Sequence, residues 1–289
     1  MSGRLREIGR QTVEIAESGH YTSPAGTRIS IAEAVGAAIA GTRHYLPDTP
    51  LPEPAPRPSP APADEAGTGQ PLERPAVTVT RESTLGAAAR FGPDVACLVF
   101  ASAKNPGGGF LGGAKAQEED IARASALYPC LRSAPEFYEF HRNQQDLRYS
   151  DRVIYSPGVP VFRDERGHLL DRPFRSAFLT SAAPNLGAIV RNQPADAADV
   201  PGVLGRRAER VLRIAAAHGH RRLVLGAWGC GVFRNDPGTV ARAFAEALRV
   251  VDRFDEVVFA IYDKMPGTPV HAAFDEVMRG WRDRPGSPG

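Results

Sequence analysis

In some segments of the chain the apolar residues recur at helical spacing, and in others they form short continuous runs. This pattern predicts a protein that contains both helices and strands. Residues 1–19 carry apolar positions on roughly one helical side, and Gly19 is a suitable stop for that helix. A second helix is predicted over 29–40, with Ser30 as its N-cap and Glu33 three residues later.

After residue 75, short apolar runs alternate with amphipathic segments. The predicted strands are 77–80, 95–101, 153–155, 176–181, 223–225 and 257–261. The predicted helices are 85–91, 116–127, 203–217, 272–281 and one that begins at Asp236-Pro237, a favourable pair of N-cap and first helical residue. This last helix has an apolar stripe at Val240, Phe244, Leu248 and Val251. Alternation of strands and helices predicts a layered α/β domain.

A proline-rich tract interrupts this pattern. Residues 47–75 contain ten of the chain's 26 prolines, and alternating prolines from Pro50 to Pro62 exclude a helix or an inner strand. We interpret the tract as a solvated, polyproline-like linker, and favour a spacer role over a proline-recognition role. The expected organisation is an N-terminal helical extension (1–46), a linker (47–75) and a core domain (76–283).

Composition narrows the class of protein. The 289 residues are 42% hydrophobic and 24% charged, which excludes a wholly disordered chain. No run of 18 apolar residues and no hydrophobic signal core are present, so we expect a cytoplasmic protein that does not contact the membrane. A net charge of +2 does not argue for nucleic-acid binding. The three cysteines and seven histidines lack metal-ligand spacing, so neither a disulfide framework nor a metal site is expected.

A glycine-rich segment lies between the predicted strand 95–101 and the predicted helix 116–127. Five of the residues in 107–113 are glycines, which let a backbone approach a ligand closely and turn its N–H groups toward phosphate. Three of them also form GxGxxG, the pattern of dinucleotide-binding Rossmann domains. Two observations disfavour a Rossmann domain: no strand ending in an acidic residue follows at the required spacing, and the carboxylates of Glu118 and Glu119 would repel a pyrophosphate.

Glu118 and Glu119 stand near the start of the predicted helix. Adjacent helical residues diverge by about 100°, so the pair cannot flank one bond from opposite faces as the carboxylates of ordinary glycosidases do. One carboxylate could act as general acid/base while the other binds a hydroxyl group. Alternatively, both simply complement the helix dipole. Local chemistry leaves these two interpretations open.

A second glycine loop, 226–236, joins the strand 223–225 to the helix that begins at Pro237. Its glycines could surround phosphate, and Phe233 could stack on a base or fill the core. For Cys230 we favour the role of a small residue in a tight loop. Because ligands of open α/β sheets bind at the carboxyl ends of strands, the two loops predict two walls of one nucleotide cleft.

Asn105-Pro-Gly-Gly-Gly109, followed by Gln117-Glu118-Glu119, resembles the signature of poly(ADP-ribose) glycohydrolases. The Gly-Cys-Gly-Val-Phe sequence at 229–233 is similar to the bacterial type. The resemblance implies a three-layer α/β/α macrodomain with a mixed central sheet as the catalytic core (76–283), preceded by the N-terminal helical extension. It also implies hydrolysis of the ribose–ribose O-glycosidic bond, with release of ADP-ribose and without a cofactor.

The same resemblance implies roles for individual residues. Glu119 resembles the catalytic acid/base, Glu118 the carboxylate that positions ribose hydroxyls, and Asn105 the contact to the distal ribose. Phe233 resembles the aromatic residue against adenine. The other implied substrate-binding residues are Pro106, Gly107, Gly108, Gly109, Gln117, Gly229, Cys230, Gly231 and Val232. The expected partners are poly(ADP-ribose), ADP-ribose and ADP-ribosylated proteins, and we expect a monomer that cuts polymer from its ends.

Alternative functions remain. A non-hydrolysing ADP-ribose-binding macrodomain would need the glycine loops but not the Glu118–Glu119 pair, so the pair favours an enzyme. The resemblance to the macrodomain family implies that hydrolases of mono-ADP-ribose or acetyl-ADP-ribose on the same fold lack this acidic pair. An NAD-dependent Rossmann oxidoreductase is the remaining alternative from another class.

Overall fold

A computed structural model of the chain describes residues 3–51, 53, 75–92 and 94–283. In these residues a seven-stranded sheet is covered by helices on both faces. The strands are β1 (His20–Thr22), β2 (Arg28–Ser30), β3 (Arg43–Tyr45), β4 (Ala76–Thr80), β5 (Val95–Phe100), β6 (Val153–Arg163), β7 (Leu169–Ser181), β8 (Arg222–Leu225) and β9 (Glu256–Ala260). β1 and β2 form a separate antiparallel hairpin.

The central sheet is mixed, as the family resemblance implies. Its strand order is β3-β6-β7-β5-β8-β9-β4. β6 pairs antiparallel with both of its neighbours, whereas β7, β5, β8, β9 and β4 follow one another in parallel. The carboxyl ends of these five parallel strands therefore meet at one edge of the sheet, which is where ligands of such sheets bind.

Helices form the two outer layers. They are α1 (Gly3–Ser18), α2 (Ala32–Gly41), α3 (Thr84–Phe91), α4 (Gln117–Ala124), α5 (Leu127–Arg132), α6 (Pro135–Asn143), α7 (Leu186–Asn192), α8 (Val200–Ala217), α9 (Pro237–Val250) and α10 (Pro269–Asp283). Two short 3₁₀ helices span Phe110–Gly112 and Pro194–Asp199. None of the helices described here has the combination of length and apolarity needed to cross a membrane.

The core lies in two clusters, one on each face of the sheet. α8, α9 and α10 pack on one face, and α2 to α6 on the other. β5 contributes to both clusters: Ala96 and Leu98 face the first, while Cys97 and Val99 face the second. Burial on both faces explains why β5 is a continuous apolar run, as expected of an inner parallel strand. This packing makes the three-layer α/β/α prediction correct.

The structure corrects two local predictions. Ser30 is not an N-cap, because it ends β2 and Ile31 occupies the cap position of α2 without a side-chain hydrogen bond. The helix predicted over 116–127 is interrupted after Ala124, where Ser125 forms an isolated bridge to Val161. The chain then continues as α5, which contains Pro129 in its first turn, where no backbone N–H is required.

Residues 3–46 pack directly on the rest of the described chain. Thr12 Oγ1 on α1 donates to the Arg123 carbonyl at 2.6 Å and accepts from Arg163 Nε at 3.0 Å. β3 supplies an edge strand of the central sheet. The predicted extension is therefore structurally continuous with the sheet. Most of the linker predicted over 47–75 lies outside the described residues.

Candidate active site

Both glycine loops leave the sheet at the same edge. The loop 101–116 follows β5 and the loop 226–236 follows β8, and these two strands are parallel neighbours. The turn 182–185 after β7 lies beside the second loop, since a Cβ on Gly229 would come within 2.6 Å of the Ala183 Cβ. The two loops therefore occupy one region, where sequence reasoning expects the walls of a cleft.

The first loop folds tightly around the carboxylates of α4. Gly107 and Gly108 have φ values of 70° and 59°, in the left-handed region that glycine adopts without strain. The Gly108 N–H donates to the Asn105 carbonyl at 3.0 Å. A Cβ on Gly108 would lie 2.3 Å from Glu119 Oε1 and 3.1 Å from Glu118 Oε2. Glycine at this position thus lets the backbone lie against both acids.

Glu118 is the deeper of the two acids. Its side chain is buried, and Oε2 accepts a hydrogen bond from the Ser102 N–H at 2.6 Å. Burial raises the pKa of Glu118 well above its ordinary value, and the charge of Glu119 raises it further, against the N–H groups of Ser102 and Gly107. Oε1 has no hydrogen-bond partner among the described residues. The hydrogen-bonding capacity of this buried oxygen is therefore unused among the described residues.

Glu119 lies in a different setting, although it is the next residue. It is only half-buried, and Oε1 accepts from the Gly109 N–H at 3.0 Å. The divergence of adjacent side chains on α4 thus places one acid beneath the loop and the other beside it. This arrangement suits one carboxyl group that exchanges protons with a substrate and one that fixes it.

Gln117 has a structural task that the family resemblance does not imply. Its Oε1 accepts from the Phe100 N–H at 2.9 Å. Its Nε2 donates to the Leu98 carbonyl at 2.7 Å and to Thr84 Oγ1 at 3.0 Å, which uses both amide hydrogens. These bonds fix α4 on β5, and the substrate contact that the resemblance implies for Gln117 stays a prediction.

Asn105 and Pro106 begin the glycine loop. Asn105 is exposed at the start of the loop. The preceding Lys104 carbonyl accepts from Arg142 Nη1 at 2.8 Å, which fixes the start of the loop. The exposed Asn105 amide is consequently accessible to a ligand at the mouth of the loop.

The second loop is closed by a side chain that sequence reasoning missed. Asn235 is buried; its N–H donates to the Gly229 carbonyl at 3.1 Å, and its Nδ2 donates to the Pro184 carbonyl at 2.9 Å. Gly231 and Val232 form the exposed tip of this loop, and Val232 is 85% exposed. Burial raises the pKa of Cys230 to about 12, so its thiol is not ionised at neutral pH.

Phe233 lies at the end of this loop and is half-buried. Its ring centroid is 6.0 Å from that of Tyr149, with the two planes at 45°. Tyr149 belongs to a polar stretch without hydrophobic periodicity, so no sequence signal pointed to it. The structure brings these two aromatic rings together from distant segments.

In the described part of the chain, no group of three or more His, Cys, Asp or Glu side chains is placed so that it could hold a metal ion. All three cysteines are free thiols. The groups that the structure brings together at the site include two carboxyl groups and backbone N–H donors. A three-layer α/β/α fold with a mixed sheet, and two carboxylates beside a glycine loop at the sheet edge, is the arrangement that the resemblance to macrodomain-type glycohydrolases implies.

Comparison with known proteins identifies the family. A family model of the microbial-type PARG catalytic domain matches residues 9–164. A crystal structure of poly(ADP-ribose) glycohydrolase from Thermomonospora curvata is 48% identical, with a TM-score of 0.84, and the match covers 96% of this chain and 100% of that one. The chain belongs to the microbial-type poly(ADP-ribose) glycohydrolases, a family of glycosyl hydrolases.

Two further solved structures contain ligands. The Thermomonospora curvata enzyme bound to the inhibitor ADP-HPD is 48% identical, with a TM-score of 0.82, over 95% of this chain and 99% of that chain. The Deinococcus radiodurans enzyme in complex with ADP-ribose is 39% identical, with a TM-score of 0.75, over 87% and 99%. A comparison with curated proteins gave no match.

Proposed function

We propose that this chain hydrolyses the ribose–ribose O-glycosidic bond of poly(ADP-ribose) and releases ADP-ribose, with Glu119 as general acid/base. One observation carries the assignment of roles: Glu119 is half-buried beside the loop and hydrogen-bonded to the Gly109 N–H, while Glu118 is buried beneath it. The accessible acid is the one that can reach a scissile bond in the cleft.

The substrate is seated by the two loops. Relatives crystallised with ADP-ribose and with ADP-HPD support an ADP-ribose site in this fold. The distal ribose lies against Asn105 and the loop 106–109, and the diphosphate against the backbone of 229–232. The adenine lies against Phe233. Backbone N–H groups bind the diphosphate, which is consistent with a net charge of only +2.

The reaction begins with protonated Glu119. It donates its proton to the 2′-oxygen of the leaving ribose as the glycosidic carbon–oxygen bond breaks, and an oxocarbenium-like ribose develops. Glu118 Oε1, which has no hydrogen-bond partner among the described residues, binds a ribose hydroxyl and orients the ring. A water molecule then attacks the anomeric carbon and gives its proton to Glu119, which restores the acid. Each cycle consumes one water and releases one ADP-ribose.

We further propose that the enzyme cleaves poly(ADP-ribose) from the ends of the polymer. The proposed physiological substrate is polymer attached to proteins. We also expect a monomer as the functional unit. Product size separates the modes of cleavage, because end cleavage yields ADP-ribose from the first turnovers whereas internal cleavage yields oligomers first.

The test incubates wild type, Glu119→Gln and Glu118→Gln with purified poly(ADP-ribose) and resolves the products by chromatography. Wild type should release ADP-ribose, and Glu119→Gln should hydrolyse about 10²- to 10⁴-fold more slowly, the usual contribution of a general acid. Its affinity for ADP-ribose in calorimetry should change less than threefold. Asp120→Asn is the matched control, because Asp120 is a half-exposed carboxylate on the same helix, paired with Arg123.

Equal loss of binding and turnover in Glu119→Gln would assign that residue to the structure instead of the chemistry. If wild type yielded no product but bound ADP-ribose, the protein would be a non-hydrolysing ADP-ribose-binding macrodomain.

A further inference from the structure

Arg207 is a fully buried arginine whose three hydrogen bonds reach two segments beside the candidate site. It projects from α8 and is 1% exposed. Its Nε donates to Asp151 Oδ1 at 3.0 Å, its Nη2 to the Arg148 carbonyl at 3.0 Å, and its Nη1 to the Ala182 carbonyl at 2.6 Å. One side chain thus holds two separate segments of the chain.

The first segment, 146–151, carries Tyr149. Arg148 and Asp151, the two residues that Arg207 contacts there, stand on either side of Tyr149 in sequence. Tyr149 has a φ of 60°, an unfavourable conformation for a residue with a side chain. Such a conformation persists where the surrounding contacts over-determine it. The bonds from Arg207 are contacts of this kind.

The second segment is the turn 182–185, which supports the loop 226–236. The Pro184 carbonyl accepts from Asn235 Nδ2 at 2.9 Å, and Ala183 packs against Gly229. The Gly187 N–H, just beyond this turn, donates to the Phe233 carbonyl at 2.9 Å. Arg207 therefore bonds to the segment that carries Tyr149 and to the turn that supports the loop of Phe233.

We propose that Arg207 is a positioning residue of the nucleotide site, which aligns Tyr149 with Phe233 as one aromatic wall for the base. This inference rests on the proposed function, because it takes the site to bind the adenine of ADP-ribose. Arg207 itself does not touch the substrate. Tyr149 becomes a further base-binding residue, and an aromatic pair presents a larger surface for stacking than Phe233 alone.

Arginine suits this task and lysine does not. A guanidinium group donates in several fixed directions, whereas an ammonium group on a flexible stem cannot reach three separated acceptors in the same geometry. Arg206 provides a matched control. It contacts the same carboxylate through Asp151 Oδ2 at 2.6 Å, but its side chain is 60% exposed and has no bond to either loop carbonyl.

The experiment compares Arg207→Lys with Arg206→Lys. Calorimetry gives the Kd for ADP-ribose, and hydrolysis of poly(ADP-ribose) gives kcat and KM. In Arg207→Lys, Kd and KM should each rise about tenfold, the effect expected when buried charge-assisted hydrogen bonds are lost. Its kcat should change less than threefold, because α4 is held by other contacts. Arg206→Lys should leave all three quantities within twofold of wild type.

A double-mutant cycle tests the route through Tyr149. Tyr149→Ala should weaken binding by itself, and adding Arg207→Lys should weaken it less than twofold further. If the two substitutions weakened ADP-ribose binding independently, so that their effects multiplied, the inference would be overturned. A fall in kcat with unchanged Kd would also overturn it, as would equal effects of Arg207→Lys and Arg206→Lys. If Arg207→Lys folds incompletely, the calorimetric stoichiometry gives the folded fraction and Kd still applies to it.

Failure of the proposed hydrolase function can be distinguished from failure of the Arg207 inference. Wild type that binds ADP-ribose without hydrolysing polymer would refute the hydrolase but leave the binding test of Arg207 in force. Wild type that does not bind ADP-ribose would overturn both.

Discussion

Alanine at position 108 should separate catalysis from stability. The Cβ of Gly108→Ala would lie 2.3 Å from Glu119 Oε1 and 2.8 Å from its carboxyl carbon. To reach ordinary van der Waals contact, the Glu119 carboxylate must retreat by about 1 Å, and its flexible side chain allows this. The clash therefore costs little folding energy but moves the proposed acid.

The two effects differ in size. A displacement of about 1 Å at a reacting group lowers catalysis by about 10²-fold, which equals about 2.7 kcal/mol of transition-state stabilisation. An alanine with φ near 59° costs about 1–2 kcal/mol in the folded state. For a domain of this size, that loss lowers the melting temperature by about 2–8 °C. The variant should therefore remain folded at assay temperature.

The assay measures kcat/KM on poly(ADP-ribose) together with thermal unfolding. Gly205→Ala on α8 is the control, because a Cβ there meets no atom within 4 Å. It should stabilise its helix by about 0.5–1 kcal/mol and leave turnover unchanged. Gly108→Ala with activity within threefold of wild type would refute the view that this glycine sets the position of the acid.

Two further predictions concern stability. Thr12→Val should lower the free energy of unfolding by about 1–3 kcal/mol in urea denaturation, because the buried Arg123 carbonyl and Arg163 Nε lose their partner; a change below about 0.5 kcal/mol would contradict the docking of α1. Burial lowers the pKa of His141 from 6.5 to about 4. Between these two pH values the imidazole is protonated in the unfolded chain but neutral in the folded one, so the folded state loses stability as the pH falls from about 6.5 to 4. His141→Gln should reduce that pH-dependent loss by at most about 3 kcal/mol, and equal losses in both proteins would show that His141 does not contribute.

Strong local signals made parts of the fold predictable. β5 is an uninterrupted apolar run, and inner parallel strands require one. Asp236 caps α9 as predicted, because its side chain accepts from the Thr239 N–H. The glycine motif (105–109) and the glutamate motif (117–119) lie close together in sequence, on one loop and the helix that follows it, so their proximity could be expected without knowledge of the tertiary structure.

Other features depend on distant contacts. The strand predicted at 153–155 continues to Arg163, because Pro157 and Gly158 lie in a bulge of β6 and do not form a turn. The hairpin of β1 and β2 consists of two three-residue strands, too short for a periodic pattern. Tyr149 reaches the site through the bonds that Arg207 makes from α8. Sequence spacing carries no information about such a contact.

The strand order has a consequence for the length of the proline-rich segment. β3 and β4 follow each other in sequence, yet they form the two opposite edges of the sheet. These two edges are separated by six inter-strand steps of about 4.8 Å, or about 29 Å. About ten extended residues would suffice for that distance. Because the entropy of closing a loop grows only logarithmically, doubling its length costs about 0.6 kcal/mol. Folding therefore sets a minimum length for the connection between β3 and β4 but almost no maximum, so insertions can accumulate there at little cost in stability.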